Sequence, residues 1–122
     1  MYPQQRLHRY RLNQSIRDLV TENRLHPSHF ILPLFINEGI DSPHPISSLP
    51  GVQQHTLDSV VDEVLAAIQV GIKAVILFGI PKKKEPDAGL SYAKDGIVQR
   101  AITRLKTQFH NLIIIADCCL CE

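Results

Sequence analysis

Three segments of this chain carry no polar alternation: residues 30–36 (Phe-Ile-Leu-Pro-Leu-Phe-Ile), 74–78 (Ala-Val-Ile-Leu-Phe) and 112–116 (Leu-Ile-Ile-Ile-Ala). Strand side chains alternate between faces, so a strand that is apolar at every position must be covered on both sides. Between these segments the period changes to that of a helix. Leu57, Val60, Val61, Val64, Leu65 and Ile68 follow i, i+3, i+4, i+7 spacing over residues 57–70, while Asp58, Asp62 and Glu63 sit off the stripe in the first turns, where the helix dipole favours them. Ile97, Val98, Ala101, Ile102, Leu105 and Phe109 form a second stripe. Gly71 is placed to end the first helix as its C′ residue, and Asp95 to cap the second. Strand, helix, strand, helix, strand predicts parallel, right-handed crossover units of an α/β fold. Pro33 resists this scheme, because it has no N–H to give to a ladder and argues for an edge or a bulge.

Three such strands with two helices leave open edges and uncovered apolar surface. The expectation is that these residues belong to a larger α/β domain, or take their missing cover from another chain. The strands begin near residues 30, 74 and 112, a looser spacing than the roughly 31 residues per unit of a 250-residue eightfold barrel. Residues 1–13 are polar and basic without periodicity, and read as an arm lying against something else. A short helix follows with Ser15 as N-cap, Asp18 three positions on, and an apolar edge of Ile16, Leu19 and Val20; it should stop before Pro27. Residues 37–56, with Pro43, Pro45, Pro50 and Gly51, read as one long loop with a turn at Pro50-Gly51. The division is an arm with a short helix over residues 1–29, and the strand and helix units over residues 30–122.

Charge narrows the partners. Thirteen basic and twelve acidic side chains leave a net charge of +1, with no field of one sign to recruit nucleic acid or anionic lipid. No stretch approaches a membrane span, and the basic N-terminus has no apolar run behind it that would make a secretory signal. The expected compartment is the cytoplasm. Thiols stay reduced there, so three cysteines within four positions read as thiols or metal ligands before disulfides.

Those cysteines lie in Asp117-Cys118-Cys119-Leu120-Cys121-Glu122, directly after the third strand. Alternation puts Asp117, Cys119 and Cys121 on one face and Cys118 and Leu120 on the other. In parallel α/β sheets functional groups gather at the carboxyl ends of strands, which is where this cluster lies. Thiolates suit zinc, and a catalytic zinc keeps three protein ligands with a fourth position open; Cys119 and Cys121 supply two. The competing reading is three small buried hydrophobes, since free cysteine is among the most buried residue types. On the residues alone both readings stand. The other polar groups are weaker signals: His26 and His29 flank a proline turn, Lys82 to Lys84 read as a solvated run, and Lys73 precedes the second strand, opposite the expected site for a Schiff-base amine.

Five stretches, in order along the chain, resemble the porphobilinogen synthase (5-aminolevulinate dehydratase) family: Ile31-Leu32-Pro33-Leu34-Phe35-Ile36, Ser48-Leu49-Pro50-Gly51-Val52, Leu77-Phe78-Gly79-Ile80-Pro81, Asp95-Gly96-Ile97-Val98-Gln99-Arg100-Ala101-Ile102 and Asp117-Cys118-Cys119-Leu120-Cys121. The resemblance implies the first part of a (β/α)8 TIM barrel, with a proline expected in its first strand. It further implies an N-terminal arm embracing a neighbouring subunit in a homo-oligomer, commonly an octamer, and condensation of two 5-aminolevulinate molecules to porphobilinogen in tetrapyrrole synthesis. The family's zinc motif, Asp-x-Cys-x-Cys, maps onto Asp117, Cys119 and Cys121, making Cys119 and Cys121 ligands of Zn2+ and Asp117 the catalytic carboxylate beside it. Cys118 stands where the family usually has an apolar residue, and reads as core. The third zinc cysteine and the two Schiff-base lysines would lie beyond residue 122, so these residues are expected to be an N-terminal portion, inactive alone. The loop at residues 88–93 departs from the family's Gly-Ser-x-Ala stretch. Two other readings compete: a non-catalytic fragment that joins full-length subunits, and a small thiolate metal-binding module.

Overall fold

The apolar segments pair side by side in a single sheet. In the computed structural model, which describes residues 4, 8–83, 89 and 92–118, the strands are β1 (Ile31–Asn37), β2 (His44–Pro45), β3 (Gln53–His55), β4 (Ala74–Ile80) and β5 (Ile113–Ala116), in the order β2-β3-β1-β4-β5. The helices are α1 (Gln14–Leu19), α2 (Ser59–Gln69) and α3 (Ile97–Gln108). β1 runs parallel to β4 from Ile31 opposite Ala74 to Asn37 opposite Ile80, and β4 parallel to β5 from Ala74 opposite Ile113 to Leu77 opposite Ala116. The expected parallel crossover units are therefore present. Pro33 lies inside β1, opposite Ile76. On its other flank β1 meets β3 only at Phe35 and Ile36, so Pro33 borders an open edge, where a missing donor is tolerated.

The expectation of one structureless loop over residues 37–56 is corrected. β3 joins β1 in parallel, through Phe35 opposite Gln54 and Ile36 opposite His55, and β2 joins β3 antiparallel. These strands are too short and polar to show a period; backbone pairing alone makes them. The turn between them is as expected. Val52 N–H donates to Leu49 O at 3.0 Å, with Pro50 and Gly51 in the middle and Gly51 at φ 82°, the type II arrangement that needs glycine third.

Both helices cover the same face. Leu34 and Ile36 of β1 and Val75 and Leu77 of β4 meet Val60 and Val64 of α2 and Ile97, Ala101 and Leu105 of α3 in one buried cluster. The opposite parity carries Phe35 and Phe78, stacked with centroids 5.3 Å apart, and the exposed Ile31 and Ile113. The buried cluster that the helices complete draws its strand residues from the other parity alone, which fits the deficit expected from strands apolar on both sides. No helix among the described residues is long and apolar enough to cross a membrane.

Helix ends show where local chemistry overrode the sequence pattern. Ser15 does not cap α1; Asn13 does, its Oδ1 accepting from Ile16 N–H at 2.9 Å. Asp95 does not cap α3; the N-cap is Gly96, with no side-chain bond. α2 begins with a reciprocal box in which Thr56 Oγ1 accepts from Ser59 N–H (3.1 Å) and Ser59 Oγ accepts from Thr56 N–H (3.0 Å). At its other end Ile72 N–H donates to Ala67 O and Gly71 N–H to Ile68 O, both at 3.0 Å, a Schellman motif with Gly71 at φ 93° as the expected C′ residue. An alanine there would be strained, and its Cβ would meet Pro27 Cβ at 3.2 Å. Gly71→Ala should cost about 1–2 kcal/mol in urea unfolding.

The arm buries none of its helical residues. Tyr10, Leu12, Leu19 and Leu25 are largely exposed, and Arg17 Nη1 folds back on Arg11 O at 3.1 Å.

Candidate functional site at the carboxyl end of the sheet

In a parallel sheet the strand carboxyl ends open onto one rim, and side chains just past them are held by the strands but not buried by them. Here that rim carries Asn37 at the end of β1 and Glu38 after it, Gln54 and His55 of β3, Ile80 and Lys82 around the end of β4, and Asp117 and Cys118 after β5.

Asp117 occupies its expected place. Its N–H donates to Leu77 O at 3.3 Å, continuing the β4–β5 ladder one step past the last strand residue. This keeps the alternation of β5, so Asp117 shares the parity of Ile113 and Ile115, on the face that the helices leave open. The carboxylate is exposed to solvent. Cys119 and Cys121 lie outside the described residues, as do Ala88, Leu90 and Ser91 of the loop at residues 88–93, and Lys84. Cys118 corrects the expectation of a core position, for its thiol is free and exposed. β5 is an edge strand whose last residue, Ala116, is itself exposed, so no helix reaches over the next position. Among the described residues no three His, Cys, Asp or Glu side chains are grouped to hold a metal ion. His26 and His29 sit edge-to-face, centroids 6.0 Å apart, around a 3-10 turn Pro27–His29, with His26 Nδ1 engaged by Ser28 Oγ at 2.9 Å. Lys73 lies at the amino end of β4, as read from the sequence, its carbonyl accepting from Ile113 N–H.

Glu38 was not singled out by sequence. Its N–H donates to Ile80 O (2.9 Å), while its carboxylate accepts from Arg100 Nη1 of α3 (2.8 Å) and from Lys82 N–H (3.4 Å). One residue thus ties the end of β1 to the segment after β4 and to the first turn of α3. The pair is partly solvated, so its net stabilisation is about 0–1 kcal/mol and its effect is chiefly geometric. Asn37 is fixed similarly, donating through Nδ2 to Gln54 Oε1 (2.7 Å) and accepting Gly39 N–H (2.7 Å). His55, the buried polar side chain at the end of β3, is 4% exposed. Burial lowers its pKa below the ordinary histidine value, against a smaller opposing pull from Glu63. A polar residue directly after an apolar strand was the available signal for Asn37 and Glu38; nothing local marked His55.

The family model described as Delta-aminolevulinic acid dehydratase matches residues 4–122. A delta-aminolevulinic acid dehydratase of Bacillus subtilis is 43% identical over 114 residues, 93% of this chain and 35% of that protein. One from Helicobacter pylori is 42% identical over 118 residues, 96% of this chain and 36% of its own length. Among solved structures, the delta-aminolevulinic acid dehydratase (porphobilinogen synthase) of Toxoplasma gondii, in complex with the reaction product porphobilinogen, superposes with a TM-score of 0.87 at 37% identity, covering 95% of this chain and 33% of that one. The chain thus spans about a third of the length of the relatives it matches.

Proposed function

The chain belongs to the delta-aminolevulinic acid dehydratase family, and from that premise we propose that it forms the amino-terminal part of a zinc-dependent porphobilinogen synthase acting on 5-aminolevulinate in the cytoplasm. Its α/β sheet matches a third of a solved member of that family, and residues 30–122 are read as the first strands and helices of a TIM barrel. Residues 1–29 are read as an arm whose exposed Tyr10, Leu12, Leu19 and Leu25 are covered by a neighbouring subunit of a homo-oligomer, an octamer by family resemblance.

The observation that carries the reading is Asp117, held on the β4–β5 ladder at the carboxyl rim with the parity of the open face. Cys119 and Cys121 follow at the same parity in sequence, giving a carboxylate and two thiolates, a donor set that fits zinc. Zinc held by Cys119 and Cys121 would supply a Lewis acid that polarises a substrate oxygen. Asp117, still solvated, is a carboxylate able to orient a substrate ammonium and to accept a proton beside the metal. Glu38 and Asn37 keep the rim in shape around it.

Cobalt(II) reports thiolate ligation by charge-transfer absorption. The 122-residue chain should show that absorption, Cys119→Ser and Cys121→Ser should each lose it, and Cys118→Ser should keep it. Retention in both ligand variants, or loss through Cys118 alone, would overturn the assignment. The same chain should form no pyrrole from 5-aminolevulinate; appreciable turnover would show that the family's lysines are not required.

A further inference from the structure

The β2–β3 ribbon is the weakest part of the sheet and contains its buried histidine. β3 meets β1 at only two register pairs, Phe35 with Gln54 and Ile36 with His55, whereas β4 follows β1 along its whole length. Among the described residues only β2 lies beyond β3, itself paired at His44 with Gln54 and Pro45 with Gln53. An edge ribbon joined by so few bonds opens locally at far lower cost than the sheet as a whole. Two side chains hold it: Gln54, which accepts from Asn37 Nδ2 at the rim, and His55, which is 4% exposed and packs inward.

The hydrogen bonds around that ring suit the neutral imidazole. Ser59 Oγ lies 3.5 Å from His55 Nδ1, 3.0 Å from Thr56 N and 3.3 Å from Thr56 Oγ1. Thr56 Oγ1 accepts from Ser59 N–H and gives its own hydrogen to Ser59 Oγ, which also accepts from Thr56 N–H. Both lone pairs of the serine oxygen are then used, and its hydrogen is left to point at Nδ1. In this assignment Nδ1 is an acceptor and the ring proton sits on Nε2. A second ring proton would place an N–H against an oxygen with no free lone pair. It would also place a cation beside the amino end of α2, where the helix dipole disfavours positive charge. Among the groups around the ring, β1 offers the apolar Ile36 in register, β2 contributes His44 opposite the adjacent Gln54, and α2 contributes Ser59 and the carboxylate of Glu63, which opposes the effect only in part.

We infer that His55 is an acid-operated latch, whose protonation releases the β2–β3 ribbon from β1 while the β1–β4–β5 sheet stays folded. Release also removes Gln54 from Asn37, so the rim beside the candidate site loosens with it. That consequence rests on the proposed function, whereas the latch itself does not. The sign follows from linkage: a histidine with a lowered folded pKa holds its segment fully above the ordinary value of about 6.5, and loses it as pH falls below that value toward the folded pKa.

Amide hydrogen exchange on the 122-residue chain between pH 7.5 and 5.0 tests this, read as protection factors so that intrinsic exchange cancels. Protection over residues 44–55 should fall by about tenfold per pH unit within the titration window, while that of Val75 and Leu77 stays level. His55→Tyr, which cannot be protonated there, should abolish the difference. A parallel fall at Val75 and Leu77, or an unchanged fall in His55→Tyr, would overturn the latch. Should that variant fail to fold, the ring resonances of His55 in the unsubstituted chain decide instead. Titration at the ordinary histidine value overturns the proposal; titration below it, alongside the selective loss at residues 44–55, sustains it.

Discussion

Gly79→Ala is expected to destabilise the fold by about 1–3 kcal/mol, seen as a lower urea midpoint with an unchanged slope. A Cβ on Gly79 would lie 2.5 Å from Val98 Cγ2 and 2.9 Å from Ile97 Cγ2. Real Cβ atoms do not come that close, so something must move. Both neighbours are β-branched, in the first turn of α3, where χ1 has one strongly preferred well. The strain therefore falls on the helix, which must lift from β4 just where Arg100 reaches across to Glu38. Val98→Ala removes the nearer methyl, so the double variant should be less destabilised than the two singles added, by a coupling of about 0.5–3 kcal/mol. Strict additivity would mean that the helix does not sit against this glycine.

The elements legible in the sequence were those with long-range periodicity or a stereochemical demand. The stripes of α2 and α3, the apolar runs of β1, β4 and β5, and the positive-φ glycines 51 and 71 each follow from physics contained within a few residues. Asp117 belongs to the same class, because strand parity alone placed it on its face. What failed depended on competition or distance. Asn13 and Ser15 both suit an N-cap, and only the path of the chain into α1 chose between them. β2 and β3 exist because β1 had a free flank, which nothing in His44–Pro45 or Gln53–His55 reveals. Glu38 and Arg100 lie 62 residues apart, so their meeting follows from the crossover rather than from either neighbourhood. Cys118 was read as core because the family usually has an apolar residue there, yet a place on the helix-covered face does not guarantee that a helix extends far enough to cover it.

Leu77→Ala should be the most damaging substitution in the described core, costing about 2–5 kcal/mol. Leu77 is 0% exposed, on the strand that lies between β1 and β5, under both helices in the main cluster. Its neighbour Phe78 has the larger side chain but points to the other face, half-buried, with the Phe35 ring as its stacked partner. Phe78 keeps part of its surface in solvent, so its truncation leaves no closed cavity, and Phe78→Ala should cost less than Leu77→Ala, the reverse of the order that side-chain size alone would give. The comparison tests the asymmetry of the sheet. If Phe78→Ala instead costs as much as Leu77→Ala, the open face is covered in solution, and its cover must come from outside the described residues. A midpoint that rises with protein concentration would identify that cover as a second copy of the chain, because association adds stability by mass action. A concentration-independent midpoint with a small Phe78→Ala effect means that the face stays bare. The sheet would then stand on its helix-covered side alone, with the surface that Asp117 shares left free for the rest of a barrel to close over.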